Sequence, residues 1–179
     1  MELLLQGIKE GLKLVLSFDQ ELMKITMLSL EVSITALAVA ALLGIPAGTL
    51  LALKSFPGRR LLLNITYTLM GLPPVLAGLI VFLFLSTRGP LGQFQLLFTP
   101  TAMIIAQVLL GVPIVCGLTA RAIMAQSQEV YDTAIMLGAN RQQALLTIVK
   151  ESRIGIIAAL TAALGRLIAE VGVVMMVGG

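Results

Sequence analysis

The stretch Val32-Ser-Ile-Thr-Ala-Leu-Ala-Val-Ala-Ala-Leu-Leu-Gly-Ile-Pro-Ala-Gly-Thr-Leu-Leu-Ala-Leu53 runs between Glu31 and Lys54 without one charged side chain. A helix rises 1.5 Å per residue and needs about 20 apolar residues to cross the hydrocarbon core of a bilayer, where every backbone N–H and C=O must be paired internally. This stretch is long enough, and so are two charge-free windows downstream, Leu61–Thr87 and Gly89–Ala120. The last opens on a polar turn, Gly89-Pro90-Leu91-Gly92-Gln93, so its span is predicted to start near Thr99. A fourth apolar run, Ile154–Gly179, is interrupted only by Arg166 and Glu170. The reading is an all-α, polytopic helical membrane protein with four spans. Composition agrees: 58% of the 179 residues are hydrophobic and 12% charged, about half the ~25% charge of soluble domains.

The same arithmetic excludes several chemistries. With no His and the single Cys116, the usual zinc, haem and iron–sulfur ligand sets, the Ser-His-Asp triad and an intrachain disulfide are all missing, and no metal is expected. A net charge of +3 does not point to nucleic acid, because the 12 basic residues are scattered singly between apolar runs and form no stripe. They read instead as topology. The link Lys54–Arg60 holds Lys54, Arg59 and Arg60 with no acid, and the segment Arg121–Arg153 holds Arg121, Arg141, Lys150 and Arg153. By the positive-inside rule both face the cytoplasm, which places the Arg88 link and the N-terminus outside.

Residues 1–24 do not read as a secretory signal: Glu2 spoils the basic n-region, Lys9, Glu10 and Lys13 interrupt the apolar run, and no small-x-small cleavage site follows; the interfacial segment is taken as residues 1–25. Leu4, Ile8, Leu12, Val15, Phe18, Leu22 and Ile25 recur at helical spacing, which predicts an amphipathic helix at the outer interface. The plainer alternative is an early extension of the first span.

Each of the first three spans carries Pro near its middle: Pro46, the pair Pro73-Pro74, and Pro113. A mid-helix Pro removes a hydrogen bond and frees carbonyls that only water or another helix can satisfy. Gly44, Gly48, Gly71 and Gly78 are expected to let helices approach closely. Two adjacent prolines between Gly71 and Gly78 are hard to explain by packing alone, so Gly71, Pro73, Pro74 and Gly78 are candidates for a translocation path. Arg166 and Glu170 join them. They stand four apart, able to pair on one helix face, and intramembrane charges normally face the bundle interior or a cavity. Either the pair locks packing, or Arg166 lends positive potential to an anion path while Glu170 holds it.

The segment 121–153 is longer than most interhelical connections. Val130, Ala134 and Leu137 share one helical face, Gly138-Ala139-Asn140 breaks it, and a second helical pattern follows with Ala144, Leu145, Ile148 and Val149 apolar. Two short helices about a Gly turn are predicted, with apolar faces that need a partner.

These residues resemble the permease subunits of binding-protein-dependent ABC importers. That family carries a cytoplasmic EAA motif: Glu-Ala-Ala, three residues, Gly, nine residues, Ile, one residue, Leu-Pro. Here Asp132-Thr133-Ala134, Gly138 and Ile148 keep the spacing, while Asp132 replaces Glu, Thr133 replaces the first Ala and Lys150-Glu151 replaces Leu-Pro. Met70–Leu79, Gly89-Pro-Leu-Gly92, Gly165–Gly172 and Met175–Gly179 are similar to the tungstate-type branch, related to molybdate and sulfate permeases.

The resemblance implies an ABC importer transmembrane domain over residues 26–179, with Asp132, Thr133, Ala134, Gly138, Ala139 and Ile148 coupling to a cytoplasmic ATPase dimer. In that reading Ala134 and Gly138 are small for close approach, and Asp132 sits near a helix start, where its carboxylate suits the dipole. It also implies a homodimer, an extracytoplasmic oxyanion-binding protein, a location in the cytoplasmic (inner) membrane of a prokaryote, and a fifth span beyond Gly179. The chain is not expected to be an enzyme: it has no Gly-x-x-x-x-Gly-Lys-Ser/Thr loop, so ATP and Mg²⁺ would sit on the partner. The alternative is a gradient-driven secondary transporter or channel for a small anion, suggested by the Pro-bearing spans and the Arg166/Glu170 pair.

Overall fold

The computed structural model describes residues 20–178, and every regular element among them is helical. Helices α1 (Gln20–Leu53) and α4 (Pro100–Met136) have 34 and 37 residues, about 51 and 55 Å at 1.5 Å per residue. Both exceed the ~30 Å hydrocarbon core. The other two apolar runs are bent. The second is α2 (Arg59–Met70) followed by α3 (Pro74–Leu85) at 100°, and the fourth is α6 (Arg153–Ile168) followed by α7 (Val171–Gly178) at 56°. With α5 (Arg141–Glu151) between α4 and α6, the described residues give two continuous spans, or four if each bent pair is one span. Residues 1–19 of the expected interfacial helix lie outside the described residues; residues 20–25 are the first turns of α1, continuous with its span.

The helix ends follow from the sequence. α4 starts where the polar turn stops, with the Thr99 side chain accepting from the Ala102 N–H at 3.4 Å and Pro100 in the first turn. α1 stops at Leu53, and Arg59 reaches back to cap it, Nε donating to the Leu51 carbonyl at 2.6 Å and Nη2 to that of Ala52 at 3.1 Å. A cation there suits the negative end of the helix dipole. Arg59 therefore has a structural task besides the topological one.

α1 and α4 form the central pair, and small residues set their distance. Ala36, Ala40, Ala106 and Ala120 are fully buried. A Cβ at Gly44 would stand 2.9 Å from Val115, and one at Gly48 would strike the Cys116 carbonyl. In lipid, where apolar side chains gain nothing by leaving water, close backbone approach supplies the packing. Gly78 does the same between α3 and α7, with Met176 Sδ at 3.2 Å from a built Cβ. Gly71 does not: it ends α2, and its built Cβ meets nothing nearer than the Thr68 carbonyl at 3.4 Å.

Nor do all the prolines act alike. Pro46 and Pro113 lie inside continuous helices. Only Pro73-Pro74 marks a break, with Pro74 opening α3 in the position where its missing N–H costs nothing. The fourth run breaks with no Pro, at Ala169-Glu170.

The basic links share one end of the molecule. Arg59 Nη2 contacts Met124 Sδ at 3.3 Å, and Lys54 and Arg141 line one groove. At the other end Ile25 and Met175 line a common cleft, and the Phe98 N–H donates to the Val177 carbonyl at 2.9 Å. The structure thus puts the links that the charge pattern assigns to the cytoplasm on one side.

Candidate functional site

Two regions carry the candidate residues. The first is the α4–α5 tip. α4 passes without interruption from the span into the segment 121–136, so the expected first short helix is instead the end of a spanning helix. About 25 Å of α4 projects past a ~30 Å core. Asp132 therefore lies in the last turns of a long helix and not near a helix start. The dipole does not favour a carboxylate there; Gln128 Nε2 holds it, donating to the two carboxylate oxygens at 3.2 and 3.1 Å.

α4 closes with a Schellman motif: the Ala139 N–H donates to the Ala134 carbonyl and the Gly138 N–H to that of Ile135, each at 3.0 Å. Gly138 has φ +89°, and a Cβ on it would meet nothing within 4 Å. Glycine is needed for the left-handed turn and not for close approach within this chain. α5 then starts on a capping box, in which the Asn140 side chain accepts from the Gln143 N–H at 3.0 Å and Gln143 Oε1 accepts from the Asn140 N–H at 2.9 Å. Ala134, Ala144 and Ile148 face inward, with Ile148 2% exposed. Thr133, Ala134, Leu137 and Ala139 line a groove of about 480 Å³, while Met136 (80% exposed) and Leu137 (83%) stand out at the tip.

The second region is the break between α6 and α7. Arg166 Nε pairs with Glu170 Oε1 at 3.0 Å, as the spacing predicts, although Glu170 lies just past the end of α6. The partners differ in setting: the Glu170 side chain is 7% exposed and the Arg166 side chain 46%. Glu170 lines a cleft of about 490 Å³ between α1, α4 and α7, with Ser33 and Gln107 as polar neighbours. Gln107, 2% exposed, donates from Nε2 to the Leu167 carbonyl at 3.3 Å, which steadies backbone at the break. Its Oε1 has no partner among the described residues. Sequence reading passed over Gln107; the available signal was a lone amide between Thr101 and Thr119 in an apolar run.

Gly71 and Pro73 are exposed at the α2–α3 bend, and Gly78 is buried against α7. The two breaks meet through apolar packing, Leu72 resting on the cluster that holds Leu167, Val173 and Val177. The α4–α5 tip residues and the break residues stand apart, the former at the end that carries the basic links and the latter within the bundle.

Bent spans around buried polar groups, with a long helix carried out to an apolar tip, define a polytopic integral membrane protein. The chain belongs to the family of binding-protein-dependent transport system inner membrane components, whose model matches residues 44–179. It is 41% identical over 179 residues to the tungstate uptake system permease of Peptoclostridium acidaminophilum, covering 100% of this chain and 78% of that protein. It is 42% identical over 158 residues to a probable anion ABC transporter permease of Haloferax volcanii, covering 88% and 68%. To the sulfate transport system permease of Escherichia coli the identity is 29% over 146 residues, covering 77% and 50%. The chain is thus a multi-pass, inner-membrane ABC permease subunit and not an enzyme, and the reading as a gradient-driven carrier or channel gives way.

Proposed function

We propose that two copies of this chain form the path of an ATP-driven oxyanion importer, with tungstate the first candidate and molybdate the second. An ATPase dimer would bind at the cytoplasmic tips, and an external binding protein would deliver the anion to the outer mouth. The observation that carries the reading is the α4–α5 tip: Met136 and Leu137 are exposed beyond the length of helix a bilayer can cover. Apolar side chains so placed need a protein partner, and this chain has no phosphate-binding loop of its own.

In this reading Thr133, Ala134 and Ala139 form the floor of the docking groove, Gly138 sets its turn, buried Ile148 holds α5 against α4, and Asp132, held by Gln128, presents its carboxylate beside the groove. Two-fold symmetry would bring equivalent faces of two protomers around one path. Arg166, half-exposed on its own protomer, would add positive potential to that path while buried Glu170 fixes its position. Gly71, Pro73, Pro74 and Gly78 would shape the wall that moves as the tips close.

Leu137→Asp tests the coupling part. Its side chain is 83% exposed, so folding should be unaffected, while co-purification of the ATPase and ATP-dependent tungstate uptake should both fall at least tenfold. Unchanged co-purification would exclude the tip as the docking element. Competition of tungstate, molybdate and sulfate for uptake by the complete system would rank the substrates.

A further inference from the structure

We propose that the groove between the cytoplasmic end of α1 and the start of α5 holds an anionic phospholipid of the inner leaflet. The groove has a volume of about 780 Å³. Its lining changes character along α1. Ile45, Pro46, Leu50 and Leu53, with Thr49 the one polar side chain among them, line it along α1; Lys54 follows just past the end of α1, and Arg141 lines it from the start of α5. No acidic residue lines it. Among the described residues neither Lys54 nor Arg141 makes an ion pair or a side-chain hydrogen bond, in contrast to neighbouring Arg59, whose Nε and Nη2 cap α1.

Two free cations above an apolar wall fit one kind of molecule. Acyl chains cover Leu50, 48% exposed, and the apolar wall, while the phosphate sits between ammonium and guanidinium. A soluble anion would use the rim alone and leave the wall uncovered. A zwitterionic headgroup brings its own cation to a site that already has two. The location suits the lipid as well, because the charge pattern puts this end at the cytoplasmic leaflet, whose anionic lipids attract basic residues beside a span. The bound headgroup would tie α5 to the end of α1. Its binding does not depend on α5 contacting an ATPase.

Native mass spectrometry of the detergent-purified protein, offered equal amounts of phosphatidylglycerol and phosphatidylcholine, tests this. The wild type should retain phosphatidylglycerol preferentially. Lys54→Gln and Arg141→Gln should each lower that preference about fivefold, the effect of roughly one basic residue at a lipid surface, and the double variant should abolish it. Arg60→Gln, the same charge change at the same end but outside the groove, should leave it intact. If the double variant does not assemble, the charge-keeping pair Lys54→Arg and Arg141→Lys should preserve the preference that each single Gln variant weakens. Equal retention of both lipids by the wild type, an unchanged preference in the Gln variants, or displacement of the lipid by inorganic phosphate would overturn the assignment. So would disulfide cross-linking of Leu50→Cys between two copies in a Cys116→Ser background, which would show a second protomer in the groove.

Discussion

Glu170 and Arg166 form one ion pair but leave different remnants when it is broken. Arg166→Gln strands a carboxylate that is 7% exposed, whereas Glu170→Gln leaves a guanidinium on a long, flexible stem whose side chain is 46% exposed on its protomer. The first should cost about 3 kcal/mol and the second less, because the longer guanidinium can find another partner, read as thermal melting of the purified protein. The double variant should recover most of the loss. If Arg166 lines the anion path, uptake stays low in that double variant even though stability returns; recovery of both would make the pair a packing device only. Gln107 gives a second residue-scale test. Gln107→Leu removes one hydrogen bond together with an unpartnered acceptor, so its net effect should stay near 1 kcal/mol. Gln107→Glu should be worse, since it loses the donor to the Leu167 carbonyl and sets a second carboxyl in the cleft of Glu170. A melting point for the Glu variant at or above that of the Leu variant would contradict this account of the break.

At the scale of elements, the turn between α4 and α5 depends on backbone conformation alone. Gly138 has φ +89° and open space around its Cα, so a substitution fails through strain and not through collision. Gly138→Val should cost 1–3 kcal/mol locally, about the range for a residue forced into a sparse region, and should reduce ATPase co-purification. Gly138→Asn, which tolerates the left-handed region, should retain most of it. The α2–α3 bend invites the opposite manipulation. Replacing Pro73 and Pro74 by Ala removes both helix-breaking residues, and the run 59–85 can then form one helix in place of two meeting at 100°. The variant should insert normally and lose transport, checked by uptake measured against membrane-fraction abundance. Central packing is less forgiving: Gly48→Leu drives a side chain into the Cys116 backbone and Thr119, and should prevent recovery of folded protein.

For the whole molecule, the charge pattern and the fold make one joint statement about sidedness. Cys116 is buried and is the single cysteine of the sequence, so a Cys116→Ser background lets introduced cysteines report topology. A membrane-impermeant thiol reagent should label Gln93→Cys on intact spheroplasts and Ser55→Cys only after permeabilisation; the reverse pattern would invert the orientation. The apolar runs, their order, the start of α4 at Pro100 and the end of α1 at Leu53 were legible in the sequence, as was the Arg166–Glu170 pairing. These follow from local rules: hydropathy over a span's length, Pro at a helix start, and side chains four apart. The motif spacing around Gly138 was legible for the same reason, because turn, cap and groove all lie within a short stretch of chain. Sequence could not show that Pro46 and Pro113 stay within continuous helices while Ala169-Glu170 breaks without Pro. Whether a freed carbonyl is tolerated depends on which helix lies beside it, as Gln107 of α4 does for the Leu167 carbonyl. It also could not show that α4 runs unbroken to Met136, leaving Asp132 near a helix end, or that Lys54 and Arg141 line one groove. Residues distant in the chain become neighbours only when Gly44 and Gly48 let α1 settle against α4, and that contact is decided by three-dimensional packing.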